Sequence, residues 1–120
     1  MNVGAENAVC IARFIQAGIP EVIYRVTRKQ TQAFFSYFRV INTSEVETVI
    51  LNIFLKVGTV IIPQIRLNLC FKPGNQLDVL DEGETLNLPT EDFEIIVMVD
   101  KPQVVCVTLS GKEITSGICN

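Results

Sequence analysis

Histidine and tryptophan are both missing from this chain of 120 residues. Without histidine there is no Ser-His or Cys-His couple to activate a nucleophile, and the commonest transition-metal ligand is gone. Most hydrolase chemistry drops out with it. The missing tryptophan removes the usual stacking platform for a sugar ring, so Glu91, Asp92 and Glu94 make a poor glycosidase carboxylate set. No apolar run approaches the roughly 18 residues of a membrane helix. Clustered base is lacking too: 13 acids and 10 bases are scattered to a net charge of −3, which leaves no electrostatic footprint for nucleic acid. Paired cysteine spacing is absent, since the four thiols are 60, 36 and 13 positions apart, and a four-cysteine zinc site needs motifs such as Cys-x2-Cys. No metal and no organic cofactor is expected, and no catalytic residue.

What is present is apolar residue, 48% of the chain, arranged with a period of two. Alternation runs through Glu21 to Arg28, with Val22, Tyr24 and Val26 on one face and Ile23, Arg25 and Thr27 on the other. Ala33 to Ile41 holds most of the aromatic carbon and is expected to anchor the core. Further strands are expected over 46–56, 59–71, 76–80, 84–88, 93–99 and 103–109. They are separated by turn chemistry at Val57-Gly58, Pro73-Gly74-Asn75, Glu82-Gly83, Pro89-Thr90 and Lys101-Pro102. Pro63 cannot donate to a ladder and marks an edge, a bulge or a change of sheet. The segment from Ala8 to Ile15 fits neither period cleanly and reads as an arm. Together these predict an all-β chain of eight or nine strands, an antiparallel β-sandwich of jelly-roll type. One domain over 19–111 is expected, with an extended N-terminal arm over 1–18 and a C-terminal tail over 112–120.

The cysteines are the residues to explain. In Val104-Val105-Cys106-Val107-Thr108-Leu109, alternation places Val105, Val107 and Leu109 inward and Cys106 outward beside Thr108. The same count through Ile65 to Phe71 groups Cys70 with Arg66 and Asn68, away from Ile65, Leu67, Leu69 and Phe71. Cys10 and Cys119 ride on the two ends. Unpaired cysteine usually prefers the core, so this placement suggests bonds between subunits. Bonds within one chain, in any of three pairings, and reduced thiols are the alternatives. The acidic residues Asp78, Asp81, Glu82 and Glu84 offer hard oxygen ligands to Ca²⁺, but match no loop motif and read as a solvated turn. Arg25, Arg28 and Lys29 read as a solvated strand end.

Three stretches then carry a likeness: Gly83-Glu84-Thr85-Leu86-Asn87-Leu88, Phe93-Glu94-Ile95-Ile96-Val97-Met98, and Val104 to Leu109. They resemble the closing strands of the endospore-appendage fibre subunits of spore-forming bacteria. Those are jelly-roll proteins without a signal peptide, stacked by β-sheet augmentation and cross-linked through a cysteine-bearing N-terminal connector. The resemblance implies that Cys106 is a receiving cysteine and Cys10 a connector cysteine, so that Cys10 of one subunit bonds Cys106 or Cys70 of another. The family connector often carries adjacent cysteines, whereas Cys10 stands alone. Cys119 has no counterpart in the family and is left to supply a second bond, to Cys70 of another subunit.

On this reading the chain is a non-enzymatic subunit of a helical, disulfide-linked homopolymer on a spore or cell surface, with no nucleic-acid partner and no membrane span. The N-terminus lacks a basic start and carries Glu6 where a secretory signal would be apolar. Synthesis inside a cell and oxidation after release reconcile leaderless cysteines with disulfides. Two other classes share the expected fold: a ligand- or receptor-binding β-sandwich, and a viral capsid or decoration protein.

Overall fold

The computed structural model describes residues 5–16 and 19–116, in which nine strands form and no helix does. In chain order they are β1 (Ala5–Phe14), β2 (Glu21–Arg25), β3 (Thr31–Asn42), β4 (Val49–Val57), β5 (Val60–Phe71), β6 (Gln76–Asp78), β7 (Leu86–Leu88), β8 (Phe93–Val99) and β9 (Val105–Thr115). All pairings are antiparallel. The first sheet runs β1-β9-β3-β6, with β7 also beside β3, and the second runs β2-β8-β4-β5. The two pack as an all-β sandwich.

The core between the sheets follows the alternation. Val105, Val107 and Leu109 of β9 are fully buried against Phe35, Phe38 and Val40 of β3, and Leu51 and Ile53 of β4 meet Ile95 and Val97 of β8. Phe35 and Phe38 are three positions apart, which in a regular strand would send them to opposite faces. A bulge between Phe35 and Tyr37 inserts one residue and returns both rings to the interior, while Tyr37 turns outward. The aromatic strand anchors the core as expected.

A second bulge changes the reading of β2. It falls between Val22 and Tyr24, so Ile23 and Tyr24 are both buried while Val22 is exposed. The expected grouping of Val22 with Tyr24 is therefore broken. Pro63 lies on the edge strand β5, within the irregular stretch where the partners of β4 shift from Arg66 to Ile62. Two of the three roles open to that proline are thus combined.

The ends differ from the expected domain boundaries. Ala5–Phe14 is not a free arm: it pairs residue for residue with β9, from Ala5 opposite Thr115 to Phe14 opposite Cys106. Val9 and Ile11 pack on the core, and Ile15 beyond the strand is fully buried. Arg13, at the intervening inward position, hid this alternation in the sequence. Its side chain instead reaches the other sheet, bonding the Val22 carbonyl at 2.6 Å and Glu21 at 2.9 Å. At the other end β9 continues through Gly111 to Thr115, so the boundary drawn at residue 112 falls inside a strand. Gly111 permits this, because a Cβ there would stand 2.0 Å from the Phe34 carbonyl oxygen and 2.7 Å from the Phe35 Cα. Cys119 lies outside the described residues.

Two further polar contacts, besides that of Arg13, tie the sheets together at opposite ends. At the Val105 end, the buried Asn42 amide donates to the Phe71 carbonyl at 3.1 Å and the Glu47 carbonyl at 2.8 Å, and its oxygen accepts from Ser44 N–H at 3.0 Å. At the Thr115 end, the Tyr24 hydroxyl donates to the Glu113 carboxylate while its ring stands edge-on to Phe35, centroids 4.8 Å apart. Burial, reinforced by the Glu113 carboxylate, pushes the Tyr24 hydroxyl well above the ordinary tyrosine range.

Candidate functional site

Residues opposite one another in antiparallel strands share a face, so the registers fix which side chains stand together outside. On the first sheet, Cys10 shares the outer face with Ser110, and Cys106 shares it with Phe14 on β1 and Ile41 on β3. Cys10 is exposed and Cys106 is partly exposed, standing between the buried Val105 and Val107. Their outward placement follows the alternation. On the second sheet, Cys70 is exposed and stands opposite Ile50, with Leu69 and Phe71 turned to the core. The side chains of residues 63–67, expected to continue that pattern, lie outside those described.

These positions separate the thiols. Cys10 and Cys106 are four residues apart along one ladder, about 13 Å at the rise of a strand. A disulfide needs Cα atoms within about 7 Å. Cys70 projects from the opposite outer face, so its Cβ points away from both. No two of Cys10, Cys70 and Cys106 are placed to bond within one folded chain.

The outer face of the second sheet is also apolar. Ile96 is almost fully buried yet stands outside the core cluster, covered by its cross-strand neighbours Phe54 and Val22. Beside it a shallow cavity of about 230 Å³ is lined by Ile50, Asn52, Met98, Val99 and Asp100. On the first sheet a groove of about 570 Å³ passes Ala8, Phe34, Ser110 and Gly111, rimmed by the Glu6–Lys112 ion pair at 3.6 Å.

The acidic residues do not converge. Asp78 bonds Arg39 at 2.7 Å, and the hydrogen bond holds that guanidinium's pKa above its ordinary value. Glu84 closes a turn by accepting the Asp81 N–H at 2.6 Å. Asp92 is occupied by Arg25 at 3.1 Å. Among the described residues no group of three or more His, Cys, Asp or Glu side chains comes together as a metal site would require.

The sequence signalled which way Cys70 and Cys106 point but not their neighbours. The pairs Phe14–Cys106 and Ile50–Cys70 exist only through register across strands distant in the chain, and no local pattern encodes them. The fold and its surface thus define a small antiparallel β-sandwich with thiols on both outer faces. No protein-family model matches the chain, and neither does any curated protein.

Proposed function

We propose that this chain is a structural subunit, not an enzyme, that polymerises into an extracellular helical fibre on a spore or cell surface. The observation that carries the reading is the separation of the described thiols: a disulfide between any two of Cys10, Cys70 and Cys106 would have to join two subunits. The edges support it as well. β1 is an unbroken ten-residue edge strand, and β5 is a twelve-residue edge strand. Long open edges invite strand addition, which proteins that stay monomeric usually blunt. The strand order β1-β9-β3-β6 against β2-β8-β4-β5 supports the finer description of the sandwich as a jelly roll, and with it the likeness to endospore-appendage subunits. With Ala5–Phe14 laid on β9, the edge strand takes the place of the free connector.

Negative-stain microscopy of the purified protein, beside a non-reducing gel, tests the proposal. Long fibres and a ladder that collapses with reductant are expected. Discrete monomers or closed oligomers without a ladder refute it. A second reading, a soluble ligand-binding sandwich, is favoured by the groove over Phe34 and Ser110; closed oligomers would select it.

A further inference from the structure

We infer that consecutive subunits are joined by a disulfide between Cys106 of one and Cys70 of the next, formed where the Phe14–Cys106 pair of one copy meets the Ile50–Cys70 pair of another. The inference rests on the fibre reading and supplies its covalent link.

Both pairs have the same make-up, a thiol beside an exposed large apolar side chain: Phe14 is 51% exposed and Ile50 38%. They stand on opposite outer faces but at one end of the sandwich. Cys106 is opposite Ile41, the neighbour of Asn42, and Cys70 is the neighbour of Phe71, whose carbonyl accepts the Asn42 amide. Stacking the second sheet of one copy on the first sheet of another, without rotation, therefore brings the two thiols to the same height along the strands. Arg13 ties β1 to β2, so the two sheets run in step and β9 lies over β8. Cys70, on β5, is then two strands to the side of Cys106, about 10 Å. A sideways step of that size sets β5 over β9 and β4 over β1, which puts Cys70 on Cys106 and Ile50 on Phe14.

Because each subunit presents one pair on each face, the contact is head to tail and repeats without closing. The overlap is only two strands wide, about 500 Å² for both partners over a seven-residue length. That is below the roughly 1,000 Å² of a specific interface, so the covalent bond holds what the apolar contact aligns. In the step, the two thiols lose two electrons and two protons to dissolved dioxygen. One S–S bond forms and one molecule of hydrogen peroxide is released.

The test uses the full chain exposed to air. The Cys10→Ser/Cys119→Ser protein is expected to give a ladder on a non-reducing gel. Adding Cys70→Ser, or Cys106→Ser or Cys106→Ala, is expected to abolish it. Mixing the Cys70→Ser and Cys106→Ser versions one to one is expected to give dimers and nothing larger. Phe14→Ser in the same background should slow ladder formation about tenfold, the rate equivalent of removing one buried aromatic contact. Circular dichroism matching the parent establishes that each variant is folded. A Cys10→Ser/Cys119→Ser protein that stays monomeric, or dimers from the Cys70→Ser version alone, overturns the pairing. If the unmodified chain still forms fibres, only the pairing falls; if it forms neither fibres nor a ladder, the fibre reading falls too.

Discussion

β1 and β3 flank the same strand, β9, and are nearly the same length, yet they contribute to the fold in opposite ways. β3 buries Thr31, Ala33, Phe35, Phe38, Val40 and Asn42, whereas no residue from Glu6 to Phe14 is buried. Both make full ladders with β9. The difference teaches that hydrogen-bond pairing gives a strand its position and apolar burial gives it its stability, since a backbone bond exchanged with water is worth only about 1 kcal/mol net. β1 is held by its ladder, by Val9 and Ile11, and by ion pairs of Glu6 and Arg13 with partly exposed side chains. Exposed pairs contribute at most about 1 kcal/mol. The strand that carries Cys10 belongs to the low-stability end of the molecule.

The contrast can be broken most forcefully at Phe35. Phe35→Ala empties a fully buried ring site against Tyr24 and is expected to destabilise the monomer by about 3–5 kcal/mol, read by urea denaturation under reducing conditions. Ile11→Ala, on the opposite flank of β9, should cost about 1 kcal/mol. Hydrogen exchange would sharpen the comparison: amides of β1 are expected to exchange through local opening, and those of β3 only through global unfolding. Equal protection of the two strands would contradict the ranking. The smallest effect concerns Tyr24. Its pKa is raised in the fold, so the stabilisation is complete below the unfolded value of about 10. It is lost as pH rises from there towards the folded value. Tyr24→Phe should flatten that alkaline decline in a urea series taken between about pH 9 and pH 11.

Much of this architecture was legible in the alternation. The central strands fall where the sequence placed them, because Val105, Val107, Leu109, Leu51 and Ile53 report a two-residue period directly. The bulges at Val22/Tyr24 and Phe35/Tyr37 were not legible, since an inserted residue leaves the composition of a strand unchanged and is fixed by its partners. β1 was missed for a related reason: Arg13 occupies an inward position but satisfies its charge on Glu21 and Val22, so its polarity masked the pattern of Val9, Ile11 and Ile15. Outward cysteines could be counted off the strands. The apolar companions Phe14 and Ile50 required register that only the folded sheets supply.

The ties that Asn42 and Tyr24 make between the sheets give the sandwich a chemical direction. Asn42 closes one end with an amide, which neither gains nor loses a proton across the working range of pH. Tyr24 closes the other with a hydroxyl, bonded to Glu113, that strong alkali can deprotonate. Strong alkali therefore frays the subunit from the Thr115 end, while the Asn42 end, where Cys70 and Cys106 stand, keeps its seam. A chain of such subunits linked through those thiols would swell under base before it came apart.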